Sequence, residues 1–426
     1  MGAEGAIARR TGEDGLLLST CRDGLTRGSG KGILLYRMMR GRVFVQNTMV
    51  SLGSFFLFLL VLEVIFRIGI PQSGHFYEHD PTLGSRLIPL REGVWRAENN
   101  TIPIRINQFG FRGWDAPREK PAGVRRIAVL GDSYVEAFQV SPEAMFSSVL
   151  EEALQEDDPT QTYDVLSFGV SGYGTAQEYL LWSNVVKEFS PDVVIVLFTS
   201  ANDVRNNAFA LEGERHKPYF ISDANGLQMV PPETPPENLW RRANQFFLRV
   251  SHLYRFVILH SKKLPIFQSH LVRGDIPTDY FVYECALSDE WAAAWDVTTQ
   301  LLRAMHDEVA QLGADFVLVH GTSYAQIHGD EALHAMKEQY PAMEKKCWDF
   351  EKPSAMLSEL TQKNNIPYLD LLPIFKDTFE KTGQELHLLS DGHWNERGHA
   401  LAGAEIANFV QSFSWEEHGA VLKNEL

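Results

Sequence analysis

Four short stretches of this chain hold residue types that can do acyl chemistry together. They are Gly131-Asp132-Ser133, the turn Gly169-Val170-Ser171-Gly172, the triplet Ala201-Asn202-Asp203, and Ser390-Asp391-Gly392-His393-Trp394. A serine hydroxyl is a weak nucleophile and needs an adjacent base. Asp391 and His393 supply a carboxylate and an imidazole within one turn. A glycine-rich turn ahead of a helix exposes backbone N–H groups suited to an anion, and the Asn202 amide can donate to an oxyanion. Taken singly, each stretch has a plainer meaning: Gly-Asp-Ser is also ordinary turn chemistry, Asn-Asp often caps a helix, and a lone Asp-x-His is often solvated. Their joint placement is what matters.

All four fall where a strand gives way to a helix or just before a helix. Apolar runs at Ile127–Leu130, Tyr163–Phe168, Val193–Phe198, Phe316–His320 and Pro367–Leu371 predict buried strands. Helical patterns fall near 142–155, 175–189, 289–312, 354–364 and 396–413. Ser141-Pro142 fits a helix start, Thr175-x-x-Glu178 a capping box, and Gly313 a helix stop. Alternating strands and helices predict a three-layer α/β/α domain on a mostly parallel five-stranded sheet. In such a sheet the strand-to-helix crossings open on one edge, where ligands bind. Gly131-Asp-Ser-Tyr-Val135 lacks the second glycine of a Gly-x-Ser-x-Gly elbow, which argues against an α/β-hydrolase fold.

His320, at the end of the fourth strand, competes with His393 as the base. His399 lies in the last helix with its facing open; His216, His252, His260 and His387 read as surface residues. No His, Cys, Asp or Glu cluster has metal-ligand spacing, so neither a metal nor a cofactor is expected.

The chain has 426 residues and a net charge of −16, which argues against nucleic acid as a partner. Residues 1–42, with eight Lys or Arg against four Asp or Glu, read as a disordered cytoplasmic tail. Residues 43–70 are apolar for about the 20 residues a bilayer requires, and Arg37, Arg40 and Arg42 stand just before them. The positive-inside rule puts the N-terminus in the cytoplasm and the rest in the periplasm or outside. A signal peptide and a buried core helix are the competing readings. Residues 71–122 read as a linker and an extended lead-in packed on the main domain, with the rings of Phe109, Phe111 and Trp114 stapling a loop down. The main α/β/α domain is expected over 123–415, followed by a tail at 416–426. Its insertion, 204–288, carries an amphipathic helix from Leu239 to Ile258 that fits a lid, a membrane-lying element or, preferred, a helix packed by its apolar stripe. Cys285 and Cys347 fit a disulfide or two free thiols equally.

The set of four stretches resembles the SGNH, or GDSL-type, hydrolase superfamily, over about 125–200 and 385–413. The insertion and the first 120 residues lie outside the resemblance. It implies a flavodoxin-like fold, Ser133 as nucleophile, and an oxyanion hole from Ser133, Gly172 and Asn202. It further implies His393 as base, oriented by Asp391. The final block of many members is Asp-x-x-His; the shorter Asp-x-His here resembles membrane-associated or exported members that handle acetyl groups on polysaccharides. The expected activity is a serine esterase acting on an ester, foremost O-acetyl, of a cell-envelope glycan. An O-acyltransferase on such glycans, a lipase or lysophospholipase, and a glycan-binding assembly protein are the alternatives.

Overall fold

The computed structural model describes residues 30–412 except 98–99, 225, 263–271, 274 and 390. Residues 1–29 of the tail expected over 1–42, and the tail expected at 416–426, lie outside the described residues, as does Ser390. The chain divides into two units after Ile65. Helix α1 (Gly30–Gly69) crosses that division. Its stretch Tyr36–Gly69 is long and apolar enough to cross a bilayer. The helix begins well before the expected start at residue 43. Leu34, Leu35, Met38, Met39 and Arg40 are strong helix formers, and the turns they make continue into the apolar run.

The second unit is built on five parallel strands: β1 (Val124–Gly131), β2 (Thr162–Gly169), β3 (Val193–Phe198), β4 (Asp315–His320) and β5 (Tyr368–Asp370). Their spatial order is β5-β4-β3-β1-β2, with Gly131 level with Gly169 and Leu197 at the carboxyl edge. Helices α2 (Ser133–Glu136), α3 (Phe146–Asp157), α4 (Thr175–Asn184) and α5 (Ser200–Arg205) follow the first three strands. The insertion carries α6 (Leu239–Val250) and α7 (His252–Lys262). Then come α8 (Asp289–Gln311), α9 (Tyr324–Gln339), α10 (Lys352–Asn364), α11 (Leu371–Thr382) and α12 (Glu396–Gln411).

Successive strand side chains point to opposite faces, so each strand feeds two cores. Ala128, Leu130, Val194, Val196 and Leu318 meet α4, α8 and α10 through Trp182, Trp291 and Leu357. Ile127, Val129, Ile195, Val317 and Val319 meet α3, α11 and α12 through Phe146, Phe375 and Ile406. All six residues of β3 are buried, which is why its sequence is apolar without alternation.

Residues 71–122 are more regular than expected, forming two antiparallel hairpins, Tyr77–Asp80 with Gly84–Leu87 and Glu92–Ala97 with Asn100–Arg105. Phe76, Ile102, Ile104 and Ile106 pack with Phe138 of the main domain. In the aromatic loop, Phe109 meets Phe189 and Phe111 meets Phe168, at 5.0 and 4.8 Å between centroids. Trp114 stays exposed under Arg105, so two of the three rings act as staples.

Three local expectations change. Helix α4 starts one residue early: Gly174 is its N-cap, and Gln177, not Glu178, accepts a hydrogen bond from the capping N–H. Glu178 is instead fully buried. The amphipathic stretch is two helices, broken at Ser251 in an extended conformation. Its first helix has no buried residue, so the expected packing by an apolar stripe does not occur there. Cys285 and Cys347 are disulfide-bonded, tying the end of the insertion to the segment after α9.

Candidate active site

The Ser133 side chain emerges where β1 ends. Asp132 caps α2 by accepting the Tyr134 N–H at 2.9 Å, so Ser133 becomes the first residue of a one-turn helix. The cap leaves the serine at the carboxyl edge of the sheet, 9 % exposed. The Asp132 carboxylate also accepts from Asn202 Nδ2 at 2.6 Å and from Thr199 Oγ1 at 3.4 Å. One buried carboxylate thus couples the strand end bearing Ser133 to the helix bearing Asn202. That bond uses one of the two Asn202 amide hydrogens and leaves the other.

His393 is 260 residues away in sequence, yet its Nε2 lies 2.7 Å from Ser133 Oγ. Several contacts fix the ring. The Tyr134 hydroxyl donates to the Gly392 carbonyl at 3.0 Å, and the Tyr134 ring lies 4.9 Å from the imidazole. The next residue, Trp394, is fully buried and donates its indole N–H to Thr322 Oγ1. Asn395 then caps α12, accepting from the Arg397 and Gly398 N–H groups.

The short Asp-x-His spacing works through both carboxylate oxygens. Asp391 Oδ1 accepts the His393 backbone N–H at 3.1 Å, and Oδ2 lies 3.3 Å from Nδ1. The latter contact is within ion-pair range, but Nδ1 makes no well-aligned hydrogen bond, so the attraction is chiefly electrostatic. Burial alone would depress the His393 pKa. The Asp391 carboxylate, with Asp132 and Glu136 behind it, outweighs burial and raises it above the usual histidine value. For Asp391, burial pushes upward, but the imidazole and the Gln139 amide hold the carboxyl below its usual range. Gln139 Nε2 reaches Asp391 Oδ2 at 3.3 Å.

The Gly169–Gly174 turn is clamped from both sides. Asn206 Nδ2 and Lys217 Nζ both donate to the Gly172 carbonyl at 2.9 Å. The Ser171 N–H and the Tyr77 hydroxyl both donate to Glu136 through short bonds. Burial raises the pKa of fully enclosed Glu136 to about 7. Glu178 and Asp203 are equally enclosed, and burial first, then neighbouring negative charge, raises both well above the carboxylate range.

His320 does not face Ser133. Its Nε2 lies 2.8 Å from Ser200 Oγ and its Nδ1 2.9 Å from Asp370 Oδ1, making a second Ser-His-Asp string buried under the start of α5. His399 is buried too, its Nδ1 accepting the Phe146 N–H at 3.3 Å. His387, expected at the surface, is only 2 % exposed and bonds to Thr322. Its place between Leu386 and Trp394, both core residues, carries it inward. Among the described residues, no group of three or more His, Cys, Asp or Glu side chains is disposed to hold a metal ion.

Glu136, Gln139, Asn206 and Lys217 are the site residues that sequence reasoning missed. Only the positions of Glu136 and Gln139, within six residues of Ser133, could have drawn attention to them.

A family model for GDSL-like lipases and acylhydrolases matches residues 129–401, more than half of the chain. The chain belongs to this family. It is accordingly a hydrolase acting on esters, which sets aside the glycan-binding, non-enzymatic alternative. The GDSL-like domain also resembles solved structures of acetyl xylan esterases. Axe2 from Geobacillus stearothermophilus is 13 % identical, with a TM-score of 0.38 over 69 % of this chain and 97 % of that one. The esterase AlAXEase is 14 % identical, with a TM-score of 0.35 over 67 % and 98 %. A two-domain esterase active on acetylated mannans is 13 % identical, with a TM-score of 0.36 over 68 % and 50 %. Comparison with curated proteins gave no match.

Proposed function

We propose that this GDSL-like hydrolase is a membrane-anchored serine esterase that removes a small acyl group, foremost acetyl, from a cell-envelope glycan. The observation that carries the reading is the 2.7 Å approach of His393 Nε2 to Ser133 Oγ with Asp391 on the far side of the ring. Ser133 Oγ attacks the ester carbonyl and passes its proton to His393 Nε2. Asp391 stabilises the imidazolium. The N–H groups of Ser133 and Gly172 and the remaining Asn202 amide hydrogen receive the oxyanion. Each such donor lowers the barrier by about 2.7–4 kcal/mol. His393 returns the proton to the departing alcohol. Water then attacks the acyl-serine with the same base, and Ser133 is regenerated.

The groups bonded around the serine and its base are polar: Asn202 donates to Asp132 beside the serine, and Gln139 to Asp391 beside the base. A largely apolar hollow of about 840 Å³, bordered by Phe209, Tyr219, Phe220 and Val230, reaches Lys217 but does not include Ser133 or His393. That distribution supports a short acyl group on a hydroxyl-rich alcohol over a long lipid chain. The exported location is supported by the apolar part of Tyr36–Gly69 as a single-pass anchor, with Arg37, Arg40 and Arg42 at its N-terminal, cytoplasmic end. It is supported independently by the Cys285–Cys347 disulfide, since such bonds persist in oxidising compartments.

The test is turnover by the full chain of p-nitrophenyl acetate, of a long-chain p-nitrophenyl ester and of an acetylated polysaccharide, beside Ser133→Ala. Short-chain turnover and acetate release, both abolished in Ser133→Ala, are expected. Turnover that survives Ser133→Ala would overturn the nucleophile, and preference for the long chain would replace the glycan by a lipid.

A further inference from the structure

The insertion holds an apolar surface that the hydrolase mechanism does not use. On α6, Leu239, Trp240, Phe246, Phe247 and Val250 fall on one side of the helix by their spacing, with Arg241, Arg242, Asn244, Gln245 and Arg249 opposite. The apolar side is the one left in solvent: Leu239 is 84 % and Trp240 78 % exposed, and each of the other three is more than two-fifths exposed. A contiguous apolar surface of this kind marks an interaction site.

The second observation is where this hairpin of helices sits. The last turn of α1 is bonded to it. Arg67 donates to the Val250 carbonyl at 2.6 Å, and the Phe66 ring lies 4.7 Å from that of Phe256. Just past the helix end, the Gln72 N–H donates to His252 Nδ1 at 2.9 Å, and Arg255 donates to the Ser73 carbonyl at 2.6 Å. The chain therefore leaves its membrane-length apolar helix directly at the junction of α6 and α7.

We propose that α6 lies in the headgroup–acyl boundary of the leaflet into which α1 emerges, its apolar side in lipid. Arg242 and Arg249 border the apolar arc. Their aliphatic stems can lie along it while the guanidinium groups meet lipid phosphates. Trp240 is the residue type enriched at that depth. The hydrolase unit is then moored at two points, the end of α1 and α6, and its rotation about the anchor is restricted.

This inference rests on the reading of α1 as a membrane anchor, and its test separates the two. The full chain, with Cys21→Ser, carries a nitroxide at Leu57→Cys, Phe246→Cys or Gln245→Cys. It is reconstituted in vesicles of phosphatidylethanolamine and phosphatidylglycerol. Collision with oxygen is compared with collision with a water-soluble nickel chelate. High oxygen and low nickel accessibility at Leu57 and Phe246, reversed at Gln245, is expected. A Leu57 label reached by nickel would overturn the anchor and the mooring together. A Leu57 label in lipid with a Phe246 label reached by nickel would overturn the mooring alone. A Phe246 label shielded from both reagents would assign α6 to a protein partner or a second copy, and also overturns it.

Discussion

Replacing Gly169 by alanine should disable the enzyme without touching any reacting group. Gly169 ends β2 level with Gly131, and α2 crosses directly over it. A methyl carbon there would stand 2.2 Å from the Glu136 nitrogen, 2.5 Å from the Val135 carbonyl carbon and 2.7 Å from Val135 Cβ, where ordinary contact begins at 3.4 Å. The first two are backbone atoms, so rotating a side chain gives no relief. Helix α2 must retreat by about 1 Å, and Ser133 is its first residue. A displacement of that size costs about 10²-fold in rate, or about 2.7 kcal/mol of barrier. The overpacking should also lower stability by about 1–3 kcal/mol. The assay is kcat/KM for p-nitrophenyl acetate alongside the thermal midpoint. Gly383→Ala is the control: it places a methyl in open space at a left-handed position far along the chain, so it should cost stability and spare kcat/KM. A folded Gly169→Ala variant with wild-type kcat/KM would refute the idea that this close approach sets the serine.

Three further outcomes follow from the electrostatics and the crosslink. With the His393 pKa raised, kcat/KM should climb with pH through a midpoint above 6.5; Asp391→Asn should lower that midpoint and cut the rate by about 10⁴-fold, as a pH–rate profile would record. Glu136 titrates near 7 when folded against 4.5 in the unfolded chain, so only the folded state holds that proton between these values. Stability should therefore fall as pH rises through the window, by up to about 3 kcal/mol, and urea midpoints of Glu136→Gln on either side of it should differ less than those of the parent. The disulfide spans 62 residues, so Cys285→Ala with Cys347→Ala should lose about 4 kcal/mol by the loop-entropy relation, measured by urea unfolding.

What could be read from the sequence depended on whether the signal was local. The five strands were legible because burial on both faces leaves runs such as Val193–Phe198 with no polar interruption. Ser133 was legible as a residue type at the end of such a run and His393 as one just ahead of a helix, and the structure brings them together. Residues whose role lies in a distant partner were not legible. Glu136 matters because Tyr77 and Ser171 reach it from two other segments, and nothing in its own neighbourhood encodes that. His320 shows the converse: its strand-end position matched an active-site residue, but its partners turned out to be Ser200 and Asp370. In α6 the spacing revealed an apolar side, yet periodicity cannot say what covers it, and the expected packing of that side on the domain does not occur.

The separation of Ser133 from His393 also bears on how the protein is made. The serine lies in the first strand-to-helix crossing of the sheet, and its base lies in the turn before the last helix. A chain synthesised from its N-terminus holds the proposed nucleophile for most of its synthesis without the proposed base. Helix α12 must seat against α3 before the imidazole reaches its place. On the proposed mechanism, prematurely ended chains should be inert toward esters, and hydrolytic competence should itself report that the C-terminal helix has docked.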